Sequence, residues 1–413
     1  MSTPRRNFVA GVVNGALFNL VSTLTDPAVV LVVFLSHFTD STFLLGLAGM
    51  IPTAGWLIPQ LWVSGYIQSK PLSRPVYRGA TLVRAIMRLA LVITVFTVHD
   101  PPALLLLFFL FLSGEALAGG VGGLAFMDMV GKVITPARRG LFFSWRIGLG
   151  GLLAFGGGAI VRAVLDPASP LVFPNNFGLL FALAAAVAIV GLMIWLVAEE
   201  PPIKPRAASS GPRGQIRLAR QIWRDDANYR DYIYARVALL LVLVTTPFVT
   251  VYARRVFDVP VSVLAVFPAV TALVTLLGTG ASGWVSFRWG NRRLIRLGAG
   301  LGMATLVLLV LAEPLGIREE SAGAYFLMVF ALIALRDSMV NIALAAFNIN
   351  IAPEERRPIY IGFSNTLVGI VVLASSAMGL LVDAVGFQAF FLLMAGLMVF
   401  GIWRLRFLQD PSA

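Results

Sequence analysis

Asn19, Ser22, Thr23 and Asp26 follow the i, i+3, i+4, i+7 spacing of one helical face inside a stretch that is otherwise apolar. A carboxylate on such a stripe can bind a polar solute or exchange a proton. Pro27 follows directly and lacks a backbone donor, so a kink and free carbonyls are expected beside the acid. Asp337, Asn341 and Asn348 repeat the arrangement on one face of a later stretch, next to Arg336. Adjacent helical residues point about 100° apart, so an Arg336–Asp337 pair need not be direct. Glu115 lies near the middle of another apolar stretch, and for Asp26 and Glu115 a fixed interhelical hydrogen bond stands beside proton or substrate coupling. Arg84 and Arg88 share a face, and like charges that close call for acids or anions nearby. Glu115 and Asp128 are the expected partners, and structural pairing is favoured over an anion site.

The elements that must hold these groups are set by composition. Of 413 residues, 58% are hydrophobic and 13% charged, against roughly 25% charged in a soluble domain, so the solvent is largely lipid. Crossing about 30 Å of hydrocarbon takes roughly 20 helical residues. Twelve apolar runs are that long: 8–35, 43–68, 76–98, 103–131, 141–165, 176–198, 231–256, 260–286, 294–313, 323–350, 358–383 and 387–408. They are too long for barrel strands, so an all-α integral membrane fold is expected. The net charge of +12 comes mostly from arginines in loops on one side, which the positive-inside tendency makes cytoplasmic, together with both termini. The other side has only Arg254, Arg255 and Arg318. The first run carries Asp26 and is read as an uncleaved span rather than a signal peptide. Arg146, in the fifth run, has three readings: snorkelling to the interface, pairing with Asp128, or reaching a cavity.

Residues 199–214, rich in Pro, Gly and Ser, read as a flexible boundary. The expected organisation is a six-helix bundle over 1–198, a cytoplasmic linker over 199–230 and a second six-helix bundle over 231–413. Ile216, Leu218, Ile222 and Trp223 among arginines suit a short amphipathic helix at the anionic leaflet, or an ordinary solvated linker helix. A weak internal echo joins the halves, with Pro136, Arg139 and Asp166 recurring as Pro353, Arg356 and Asp383, and Gly65 as Gly283.

Six plus six spans, a long middle loop and the segment GWVSFRWGNRR at 283–293 together resemble the major facilitator superfamily of secondary transporters. Gly283, Arg288, Gly290, Arg292 and Arg293 match its loop motif, and Gly65, Lys70 and Arg74 match the first-half copy. Both copies lack the motif's acid, which is Ser69 in one and Phe287 in the other. The resemblance implies two bundles related by a pseudo-two-fold axis, with spans 1, 4, 7 and 10 lining a central cavity. Asp26, Glu115, Arg336, Asp337, Asn19 and Asn341 are then the candidates for substrate or proton binding. Gly119 and Gly123 in span 4, and Gly148, Gly150, Gly151, Gly156, Gly157 and Gly158 in span 5, mark either sliding surfaces or static close packing. No proline follows the span 5 glycines, which argues mildly against a proton-antiporting drug exporter.

Cysteine is absent and the only histidines, His37 and His99, are far apart, so no thiolate chemistry or metal cluster is expected. No P-loop, HExxH or GxSxG in a strand-turn-helix context occurs, and neither a catalytic residue nor a cofactor is expected. The expected function is alternating-access transport of a small organic molecule, proton-coupled, with export of amphipathic compounds as the leading direction. A solute importer of sugar or organic anion, or a transport-inactive relative, is the alternative. Expected partners are the substrate, H+ and the lipid bilayer of the inner or plasma membrane, with no nucleic acid and a monomeric chain.

Overall fold

The computed structural model describes residues 3–166, 169–203, 211–243, 245–259, 263, 266–317, 319–353 and 356–409. Arg318, which figures in the charge reading, and residues 204–210 of the expected flexible boundary lie outside the described residues. No strand occurs among those described. The chain divides into two units, 1–215 and 216–413.

In the first unit, α1 (Thr3–Leu24) ends two residues before Asp26, a π-turn spans Pro27–Leu31, and α2 (Val32–Leu35) completes span 1. The amides of Val30 and Leu31 both donate to the Asp26 carbonyl, at 2.8 and 3.1 Å, so the kink expected at Pro27 takes the form of a π-bulge. Span 2 is likewise broken, into α3 (Thr42–Leu57) and α4 (Gln60–Gln68), with Pro59 at the break. Spans 3 to 6 are α5 (Arg74–Thr97), α6 (Pro101–Val133), α7 (Pro136–Leu165) and α8 (Asn175–Leu196). Asp100 caps α6, accepting from the Ala103 amide at 3.0 Å ahead of a proline pair.

The second unit begins within the amphipathic α9 (Gly211–Asp225), of which Ala219 and Ile222 are buried and Ile216 and Leu218 exposed. Trp223 packs edge-on against Tyr234 and Phe363. Span 7 is split into α10 (Ala227–Leu243) and α11 (Thr246–Phe257), with Pro247 just after the break. Spans 8 to 10 are α12 (Phe267–Trp289), α13 (Asn291–Leu311) and α14 (Glu319–Ile351). Span 11 is α15 (Arg357–Ala374) and runs on through a 3-10 turn into α16 (Met378–Arg404), which turns into span 12 at Gly386, φ 78°. All twelve expected spans have helices. Among the described residues, nine continuous helical stretches are long and apolar enough by themselves to cross a membrane, one of them holding spans 11 and 12 together.

The two units pair their helices alike. In the first, α1 packs on α7 and α8, α5 on α6 and α8, and α3 on α6. In the second, α10 packs on α15 and α16, α13 on α14 and α16, and α12 on α14. Numbered as spans, 1–5, 1–6, 3–4, 3–6 and 2–4 become 7–11, 7–12, 9–10, 9–12 and 8–10.

The glycines of span 4 have a packing reason. Gly120 and Gly123 lie against Trp56, and a Cβ at Gly120 would collide with the Trp56 carbonyl and approach Pro59 to 2.7 Å, at the break in span 2. Because backbone cannot swing aside as a side chain can, Gly120→Ala is expected to lower stability by about 1–3 kcal/mol. Gly151→Ala on α7, whose Cβ would enter open space, is the control. Equal unfolding midpoints for the two variants in detergent would refute this packing account.

Candidate functional site

Polar groups inside the spans gather in three places. On α1 the side chains of Asn19, Ser22 and Thr23 turn back onto their own helix: Asn19 donates to the Gly15 carbonyl at 3.0 Å, Ser22 to Phe18 at 3.0 Å and Thr23 to Asn19 at 3.1 Å. The stripe is half-buried or exposed, and the half-buried Asp26 sits where the helix breaks. Asn14, one turn nearer the N-terminus than the stripe, is buried and was not singled out by spacing. Its amide donates to the Gly191 carbonyl on α8 at 2.8 Å, and its oxygen accepts from Arg146 Nη1 of α7 at 3.0 Å. Arg146 also donates to the Gly11 carbonyl at 2.7 Å and stacks on Phe126, 4.4 Å from the ring centre. It lies across Gly15, where any Cβ would strike its side chain. Neither snorkelling nor a bond to Asp128 accounts for Arg146: helix carbonyls, an amide and an aromatic face surround it.

The second cluster joins spans 3 and 4. Glu115 Oε1 accepts from Arg84 Nε and Nη2 at 2.9 and 2.6 Å and from Arg88 Nε and Nη2 at 3.1 and 3.0 Å. All three side chains are at most 14% exposed. The expected second acid is elsewhere. Asp128 pairs with Lys132 at 2.5 Å and accepts from the Ser73 hydroxyl at 2.5 Å. Lys132 in turn binds Glu200 at 2.7 Å, and Glu200 accepts from the Ser73 and Arg74 amides that begin α5. Glu199 meets Arg6 at 2.5 Å, and its backbone amide and carbonyl exchange hydrogen bonds with the Asn7 side chain. The flexible reading of 199–214 therefore fails for its first residues: two carboxylates tie them to the basic ends of spans 1, 3 and 4.

In the second unit, Arg336 is 2% exposed. Its Nη1 reaches Asp337 Oδ1 at 3.0 Å, so the adjacent pair is direct, and its Nη2 donates to the Leu239 carbonyl of α10 at 2.7 Å. Asp337 keeps 26% of its side chain exposed. Asn341, one turn on, is exposed, and Asn348 is buried with its Oδ1 unpartnered. Arg236 on α10 was missed in the sequence, although it is the sixth residue of its apolar run as Arg146 is of its own. It donates to Ser364 and, at 2.9 Å, to Asn365 Oδ1 on α15. An arginine-to-asparagine bond thus joins spans 1 and 5 in one unit and 7 and 11 in the other, with the residues exchanged between helices.

The family model for the Major Facilitator Superfamily matches residues 11–376. The chain belongs to the major facilitator superfamily. No curated protein matches it in sequence. Among solved structures of the same fold, a D-xylose-proton symporter is 14% identical at TM-score 0.74, covering 98% of this chain and 97% of that one. The nucleoside transporter NupG is 13% identical at 0.71, covering 98% and 100%. A bacterial homologue of the iron transporter ferroportin, in an outward-facing state, is 13% identical at 0.70, covering 98% and 99%. At such identities these structures speak for the fold. Within this superfamily member the two loop-motif copies differ in packing. Gly65 is covered by the Gln215 side chain, whereas Gly283 faces open space. Gly290 has φ 82° between α12 and α13, a conformation open to glycine. Arg288 stacks on Trp284 at 5.8 Å, and Arg292 donates to the Arg406 carbonyl at 3.0 Å. Arg293 and Arg74 are exposed, and Arg74 serves through its amide. Where Ser69 replaces the motif's acid, Asp128 and Glu200 furnish the carboxylates at that end of the unit.

Proposed function

We propose that this superfamily member is a secondary active transporter that moves a small organic molecule by alternating access and draws on a proton gradient, as an exporter of amphipathic compounds. The observation that carries the proton reading is the link Asp337–Arg336–Leu239 carbonyl. A half-open carboxylate neutralises a buried guanidinium, and the same guanidinium grips the backbone of span 7. Taking up a proton at Asp337 removes that neutralisation, so span 10 and span 7 change their grip together. Asp26, at the π-bulge of span 1, is the second coupling candidate, since a broken helix is where span 1 can bend. Asn19 and Asn341 supply polar contacts to substrate. Glu115 is assigned to structure, because protonating it would leave two buried arginines facing each other. The remaining span surface is apolar, which suits amphipathic solutes.

A second reading, uptake of an organic anion, is favoured by Arg146 and Arg236, which have no acidic partner among the described residues. In either case the basic loops, α9 and both termini face the cytoplasm of the inner or plasma membrane, and the chain works as a monomer without enzymatic chemistry. Ligands that stabilise the purified protein thermally are to be labelled and followed in proteoliposomes. Flux that follows an imposed pH gradient and stops with an uncoupler is expected. Flux indifferent to the gradient would overturn proton coupling, and stabilisation by carboxylates alone would favour the anion reading.

A further inference from the structure

The cluster around Glu115 does not balance. Two guanidiniums, Arg84 and Arg88, meet one carboxylate oxygen, and Asp128, which could have offset the second, is engaged with Lys132 and Ser73. One positive charge is left midway along span 3, where side-chain exposure is 8% at Arg84 and 14% at Arg88. Nη1 of each arginine has no hydrogen-bond partner among the described residues. Beside them lies a cavity of about 20 Å³ between spans 1, 3 and 6, lined by Asn14, Phe18, Arg84, Arg88, Ala188 and Gly191. Arg146, bound to the Asn14 oxygen, adds another cation one residue away from the cavity.

A surplus charge against apolar walls is costly unless a counter-charge joins it, and an arginine does not discharge itself by losing its proton. The lining offers no acid. Its donors are guanidinium groups, so the counter-charge must be an anion, and a space of about 20 Å³ has room for one species of water size. We propose that this cavity is a binding site for one monatomic anion, chloride in physiological solution, held by Arg84 and Arg88. It rests on the first unit's side chains alone, and stands or falls separately from proton coupling at Asp337.

The test uses the full-length purified protein, exchanged into sodium gluconate and titrated with sodium chloride, bromide or sulfate at constant ionic strength. Chloride and bromide are expected to raise the unfolding midpoint saturably, by about 5 °C at roughly 100 times the dissociation constant, and sulfate is expected to give no saturable rise, only the gradual one of an excluded salt. Arg88→Gln leaves a neutral Arg84–Glu115 pair, so it is expected to fold and to lose the halide response. Bromide soaked into crystals of the unaltered protein is expected to give an anomalous peak between Arg84 and Arg88. Equal stabilisation by sulfate, a halide response that survives in Arg88→Gln, or an anomalous map empty at the cavity would each overturn the proposal.

Discussion

Glu115→Gln is expected to lower the stability of the protein by about 3–5 kcal/mol, the cost of stripping a buried ion cluster of one partner. The carboxylate receives four hydrogen bonds on one oxygen from two arginines of the neighbouring span. The amide that replaces it can still accept, but it carries no charge, and both guanidiniums remain in the interior. Removing the cations in turn should reverse the loss. Stability is expected to rise from Glu115→Gln, through Glu115→Gln with Arg88→Met, to the variant in which Arg84→Met is added, because each step deletes an unpaired charge from an apolar setting. Reversible unfolding in detergent measures the series. A Glu115→Gln variant within about 0.5 kcal/mol of the parent would show that the cluster does not hold spans 3 and 4 together.

Which acid pairs with which arginine was only half legible in the sequence, for a reason of length. Glu115 and Asp128 are 13 residues apart on one helix, about 20 Å at 1.5 Å per residue, whereas Arg84 and Arg88 are separated by one turn, about 6 Å. A pair of arginines one turn apart meets one depth of a neighbouring helix and cannot reach both acids. Spacing rules place residues on faces, and the depth at which two spans face each other is set by loops and packing. The spans themselves were legible because hydrocarbon thickness fixes a length that apolar runs must match. The break at Asp26 was legible because Pro27 lacks a donor. Glu199 and Glu200 were misjudged because proline, glycine and serine content describes the backbone's freedom and not what two carboxylates find nearby. Arg236 had the same depth signal as Arg146, but it followed a polar, tyrosine-rich start of span 7 that masked it as part of the interface.

Asp337→Asn is expected to cut gradient-driven transport at least tenfold while leaving the protein folded. The asparagine oxygen can still accept from Arg336 Nη1, and Nη2 keeps the Leu239 carbonyl, so the span 7 to span 10 contact keeps its hydrogen bonds. What is lost is the only group in that pair able to bind and release a proton. An uncompensated arginine near mid-span costs about 3 kcal/mol, which corresponds to more than a hundredfold in the ratio of two conformations. The variant therefore populates whichever state best shelters Arg336. Accumulation against a pH gradient is expected to fall at least tenfold, on that energy scale, whereas binding of a stabilising ligand is retained. Asp26→Asn supplies the comparison. If Asp337 is the coupling acid, Asp26→Asn keeps a reduced but gradient-sensitive flux, and if Asp26 is, the two phenotypes exchange. Undiminished accumulation by Asp337→Asn would remove the pair from the coupling mechanism and leave it as a structural neutralisation of a buried cation, the role that Glu115 has in the first unit.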